Sequence, residues 1–238
     1  LATAKRGGVT VTRVEIAREG LARPRGRYVT LEMPSVSVLD ERDTDVIETG
    51  AAELRALLPP EGPVLVLGIG NRRVTADALG PRTAQKILVT MGPQHTLPVR
   101  GIRPVAALAP GVSGDTGLTL RQLAAAMVDA VRPAALICVD SLCSAEAARL
   151  GRTIQFSDTG LHPADARHVR HLDAAALGVP VIAAGIPTLM DADEGADLVL
   201  TPRALDSVIA HGSALLAGIL NRALQPRLSV AQLCWLTG

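Results

Sequence analysis

Two aspartates stand just beyond short apolar runs, and a histidine follows a third such run. Asp77 lies in Thr75-Ala76-Asp77-Ala78-Leu79-Gly80-Pro81, after the run Val64–Leu67 and the loop Gly68-Ile69-Gly70-Asn71. Asp140 directly follows Cys138-Val139, and His162 sits in Ser157-Asp158-Thr159-Gly160-Leu161-His162-Pro163. In open α/β sheets ligands collect beyond the carboxyl ends of the strands, so these are the positions where chemistry is expected. Two carboxylates held at different pKa values can divide the work of hydrolysis, one taking a proton from water and the other supplying one. Two acids and a histidine can equally hold zinc or a harder divalent ion, and spacing leaves both readings open. Each residue also has a plainer explanation. Asp77 can cap a helix beginning near Pro81, Asp140 a helix near Ala145, and a loop histidine is usually a surface residue.

Other chemistries fit less well. Gly68-Ile69-Gly70 begins like a dinucleotide fingerprint, but Arg73 stands where the third glycine belongs and no acid closes the next strand. Ser141 and Cys143 lack a nucleophile elbow or a recognisable base. Cys138, Cys143 and Cys234 form no metal-type or disulfide-type spacing, which points to reduced thiols and a cytoplasmic setting. The 24 basic and 23 acidic side chains leave a formal charge of +1 without long runs of either sign, so no direct nucleic-acid partner is expected. One Phe, one Tyr and one Trp give almost no material for base stacking or a membrane belt. No run of eighteen apolar residues suggests a membrane span, and no cofactor is called for, with the metal question left open.

The elements that must position these residues read as an α/β pattern. Buried strands are expected at Val64–Leu67, Val105–Ala109, Ala135–Val139, Thr153–Phe156 and Val181–Ala184. Helical pattern fills Arg82–Val89, Thr119–Val131, Ala145–Leu150 and Ala174–Leu177, with longer helices at Thr44–Leu58 and Ala204–Leu224. Alternation at Val9–Ile16, with a phase slip at Arg13, and at Arg27–Met33 reads as a hairpin around Arg23-Pro24-Arg25-Gly26. The expected fold is a three-layer, open, mostly parallel sheet with helices on both faces and an N-terminal β-hairpin excursion. It forms one domain over residues 1–238, with the hairpin region in 1–45 and the α/β core in 46–238.

At these residues the chain resembles the spore germination protease family, endopeptidases that degrade small acid-soluble DNA-protecting spore proteins. The carrying segments include Gly26-Arg27-Tyr28-Val29-Thr30-Leu31-Glu32, Leu67-Gly68-Ile69-Gly70-Asn71, Val74 to Pro81, and Ala109-Pro110-Gly111-Val112. Downstream follow Val139-Asp140-Ser141-Leu142, Gln155 to Pro163, Gly178 to Ala183, Gly185-Ile186-Pro187-Thr188 and Thr201-Pro202-Arg203. The resemblance implies a zymogen that processes its own N-terminus, a homotetramer, a location in the forespore or spore core, and kinship with hydrogenase-maturation endopeptidases. It implies an aspartic-like mechanism with the family's two acids at Asp77 and Asp140, supported by the loop of Gly68, Gly70 and Asn71. In the related maturation peptidases two acids and a histidine bind metal, and the resemblance implies His162 only as a possible third site residue. Two alternatives remain: a hydrogenase-maturation-like metallopeptidase and a catalytically inactive homologue. The chain departs from the family in the short stretch Asp191 to Leu200 before the final helix, in Ser141-Leu142-Cys143-Ser144 after the strand acid, and in lacking the Arg-Thr-Asp-Leu-like stretch of the propeptide.

Overall fold

The computed structural model describes residues 1–20, 23–39, 42–92, 101–161, 171–192 and 198–237. The strands are β1 (Ala2–Arg6), β2 (Val9–Ile16), β3 (Gly26–Glu32), β4 (Val64–Gly68), β5 (Val105–Leu108), β6 (Ala135–Cys143), β7 (Thr153–Ser157), β8 (Val181–Asp191) and β9 (Val199–Leu200). The helices are α1 (Thr44–Leu57), α2 (Leu79–Ala84), α3 (Ser113–Thr116), α4 (Leu120–Val131), α5 (Ala174–Leu177), α6 (Leu205–Leu224) and α7 (Val230–Thr237).

The sheet runs β1-β2-β3-β7-β8-β6-β4-β5, with β9 attached to the outer part of β8. Strands β8, β6, β4 and β5 are mutually parallel and form the core of an open α/β sheet. β7 turns the direction by pairing antiparallel with β8, and β3, β2 and β1 continue as an antiparallel wing. The N-terminal strands therefore extend the main sheet through β3 and β7.

Both faces are covered, which explains why β4 is apolar at every position. On one face Ile47 and Leu54 of α1, Leu79 of α2, and Ile209, Leu216 and Leu220 of α6 pack on Val66, Ile137, Ile182, Phe156 and Leu31. On the other, Leu65, Leu67, Leu136, Cys138 and Val181 meet Ala124 of α4, with Leu177 of α5 at the margin. α6 is long and apolar enough to cross a membrane by composition, yet 72% of that stretch is buried against the rest of the chain.

Several sequence expectations shift. The phase of β2 does not slip at Arg13. Val9, Val11 and Arg13 share the face that meets α1, where the Arg13 guanidinium reaches the buried carboxylate of Glu53, with Nε to Oε2 at 2.6 Å. β6 continues past Val139 to Cys143, so Asp140 lies inside a strand, and β8 continues through Pro187 to Asp191. A register shift between Leu142 and Cys143 accommodates that proline, which has no N–H to donate. The segment read as helix at Ala145–Leu150 contains only a 3₁₀ turn, Ala147–Arg149.

Candidate active site

The peptide after β4 is fastened to β6 by the Ile69 N–H, which donates to the Val139 carbonyl at 2.8 Å. The loop can lie this close because α2 crosses at Gly80. A Cβ there would stand 2.3 Å from both the Ile69 and Val139 carbonyl oxygens. Gly70, at φ +122°, makes the next turn, and a Cβ on it would stand 2.1 Å from the Asp77 carbonyl oxygen. The glycines of this loop thus create the space into which Asp77 folds back.

Asp77 ends a 3₁₀ turn, Thr75–Asp77. Its Oδ2 accepts from the Asn71 N–H at 2.6 Å, and no side chain caps α2. The capping explanation for this acid therefore gives way to a loop closure. The turn is also pinned from below. Thr188 of β8, fully buried, donates its hydroxyl to the Ala76 carbonyl at 2.9 Å.

Asp140 accepts through Oδ1 from the Ser141 N–H at 2.8 Å, and no helix begins near Ala145 for it to cap. Burial raises its pKa first, the negative charge of Asp77 raises it further, and the Ser141 N–H opposes both, leaving the carboxyl at about 8. Asp77 is raised as well, by burial, against the lowering effect of the Asn71 N–H. The pair is thus electrostatically coupled and titrates in separate steps, with Asp140 the group that keeps its proton to higher pH. Beside them the Ser141 hydroxyl is buried and, among the described residues, has no hydrogen-bond partner.

Of the residues singled out in the sequence, the structure brings together Asp77, Asp140, Gly68, Gly70 and Asn71. His162 lies outside the described residues. Asp158, in the same loop, is committed elsewhere: it accepts from the Arg27 main-chain N–H at 2.7 Å and from Arg27 Nε at 2.6 Å. Among the described residues no group of three His, Cys, Asp or Glu side chains is placed to hold a metal ion. Thr188 escaped the sequence reading of the site. Its signal was a hydroxyl continuing the period-two stripe Ile182, Ala184, Ile186 on an inward face, where a polar group needs a partner.

The family model described as germination protease matches residues 1–194 of this chain. A germination protease of Clostridium perfringens (strain SM101 / Type A) is 32% identical over 278 aligned positions, covering 92% of this chain and 86% of that protein. Germination proteases of Bacillus velezensis and Caldanaerobacter subterraneus are 37% and 40% identical, over 87% and 78% of this chain and 58% and 61% of their own lengths. A solved NiFe hydrogenase maturation protease from Thermococcus kodakarensis superposes on 72% of this chain and 98% of its own, with 16% identity and a TM-score of 0.47.

Proposed function

The chain belongs to the germination protease family, and from that premise we propose that it is an endopeptidase of small acid-soluble spore proteins in which Asp77 and Asp140 activate the attacking water. The observation that supports this reading is the coupling of the two carboxyls. With Asp140 lifted to about 8, near neutral pH the site can hold one proton between the pair, on Asp140.

In this mechanism ionised Asp77 accepts a proton from water as the water oxygen bonds to the scissile carbonyl carbon. Protonated Asp140 donates to the carbonyl oxygen, whose negative charge would otherwise develop in a half-buried site. The tetrahedral adduct then collapses: Asp140 takes a proton back from one of its hydroxyls as the carbonyl re-forms, the carbon–nitrogen bond breaks, and the amine leaves with the proton taken up by Asp77. Asn71 N–H holds one oxygen of Asp77 and Ser141 N–H one oxygen of Asp140, so each carboxyl is fixed by a main-chain donor.

The proposal treats residues 1–45 and 46–238 as one peptidase unit, assembled as a homotetramer, self-processed at the N-terminus and acting in the spore core. Light scattering of the purified chain tests the assembly. The mechanism is tested by incubating the protein with a small acid-soluble spore protein, with and without chelator, beside Asp77→Asn and Asp140→Asn, and reading products by mass spectrometry. Discrete cuts that persist in chelator and vanish in both variants are expected. Full activity in either variant overturns the paired-acid mechanism, and loss of cutting in chelator alone replaces it by one that uses a metal and His162.

A further inference from the structure

β6 runs further than the strand beside it. Its pairing with β4 ends at Val139, opposite Gly68, and the last main-chain bond on that side comes from the Ile69 N–H to the Val139 carbonyl. On its other side β6 stays paired with β8 as far as Cys143. Ser141 to Cys143 therefore form an open strand edge on the β4 side. Burial falls along it: Ala135 to Val139 are buried, Asp140 to Leu142 half-buried, and Cys143 exposed.

In a parallel ladder alternate residues turn both main-chain groups to the same side. The Leu136 N–H donates to the Pro180 carbonyl and the Ser144 N–H to the Leu189 carbonyl, both toward β8, whereas the Val139 carbonyl faces β4. Ser141 and Cys143 alternate with Val139, so their N–H and carbonyl groups face the open edge. The Ser141 N–H is held by the Asp140 carboxyl. Among the described residues, the Ser141 carbonyl and the Cys143 N–H have no main-chain partner on that side. The two acids are carried on opposite faces of the sheet. Asp140 shares the face of Leu136 and Cys138, and the turn bearing Asp77 is anchored on the other face through Thr188, in line with Ile182, Ala184 and Ile186.

We propose that the edge of β6 beyond Val139 binds the main chain of the substrate as an added parallel strand, in line with β4. The inference rests on the reaction proposed at Asp77 and Asp140. One residue of such a strand uses both free groups: its N–H donates to the Ser141 carbonyl, and its carbonyl accepts from the Cys143 N–H. Two residues earlier, the substrate carbonyl that faces β6 arrives at the Ser141 N–H, where protonated Asp140 stands and donates to it. That carbonyl is the scissile one, so the doubly bonded residue is the second after the cut. A peptide in the plane of the sheet turns one side of its scissile group to each face, and water held by Asp77 attacks from the face opposite Asp140. The Ile69 N–H already occupies the Val139 carbonyl, so main-chain pairing is confined to the amine side of the cut.

The test uses the full chain. Cut sites are first mapped on an intact spore protein. Peptides spanning one site are then made with a single amide replaced by an ester, which removes one N–H, at each nearby residue on either side of the bond, the scissile amide itself being kept. The ester at the second residue after the cut is expected to lower kcat/KM about tenfold, the weight of one hydrogen bond, and the others less than about threefold. Cys143→Pro deletes the donor of the second bond, at an outward-facing strand edge where proline is accommodated. Relative to Cys143→Ala, which keeps that N–H, it is expected to lower kcat/KM by about tenfold, and by the same factor at two cut sites of different sequence, because the contact does not involve side chains. Thermal melts of both variants check the fold. An active wild-type enzyme that accepts the ester at the second residue without loss overturns the added strand, whether or not Cys143→Pro folds. Equal kcat/KM in folded Cys143→Pro and Cys143→Ala overturns it as well. A wild-type chain that cuts no spore protein overturns the proposed reaction instead.

Discussion

Asp140→Asn removes a carboxyl whose ionisation the fold opposes, and the effect is visible in stability as well as in rate. Folding lifts this group from 3.8 to about 8. Between those values the native chain keeps a proton that the unfolded chain has released, so stability falls as pH rises through the window. The penalty is absent below the lower value and complete above the upper one. A shift of this size corresponds to on the order of 5 kcal/mol, and partial contact of the carboxylate with water reduces the expected effect to about 2–3 kcal/mol. Asparagine carries no such penalty, and its side-chain oxygen can still accept from Ser141 N–H. Urea unfolding of both proteins at pH 4, 6.5 and 9 should therefore give curves that nearly coincide at pH 4, with the variant more stable by ~2–3 kcal/mol at pH 9. In the same preparations hydrolysis should fall by roughly 10²-fold or more. A stability difference that is constant from pH 4 to 9, or that shrinks as pH rises, refutes the claim that burial and Asp77 hold this carboxyl protonated.

The remaining expectations concern the supports of the site. Asp77→Asn removes the neighbouring charge and should lower the Asp140 pKa, read as a downfield-shifted carboxyl titration by carbon-13 NMR moving to lower pH. Thr188→Val deletes the hydroxyl that holds the Ala76 carbonyl and should destabilise by about 1–2 kcal/mol in urea unfolding, with a larger fall in kcat than the stability loss explains. Gly80→Ala forces a Cβ to 2.3 Å from two carbonyl oxygens and should cost about 3 kcal/mol or more by thermal melts. Arg13→Ala leaves the Glu53 carboxylate, 7% exposed, without its partner, and should cost about 2 kcal/mol at neutral pH, more than Glu53→Gln does.

The sequence made the parallel core legible because strands covered on both faces have no alternation to misread. Val64–Leu67 and Ala135–Val139 are apolar throughout, and both are strands. Legibility failed where a tertiary partner changed what a polar residue means. Arg13 looked like a break in phase because an arginine was not expected on the inward face, and the buried Glu53 that receives it lies on a distant helix. The continuation of β8 through Pro187 was hidden because proline reads as a strand terminator, whereas here the register between β6 and β8 shifts by one residue of β8 directly after it. α3 and α7 are short, and their sequences carry little periodic signal of their own. The two acids were legible from their place beyond apolar runs. What sequence could not supply was their mutual approach, which depends on Gly80 lying against Ile69 and Val139 and on Thr188 holding the turn that bears Asp77.

The order of strands in the sheet also fixes the order in which a growing chain can complete it. β3 finds its partner only when β7 is available, with Val29 opposite Phe156, and β6 lacks its neighbour on one side until β8 has been made. During synthesis the first three strands and β4 therefore emerge as separate pieces with unpaired edges, which long-range pairing closes late. Because Thr188 lies near the end of β8, the turn carrying Asp77 gains its anchor only after most of the chain has left the ribosome. A chain of this design has made Asp77 and Asp140 before it makes the hydroxyl of Thr188 that holds the Asp77 turn in place.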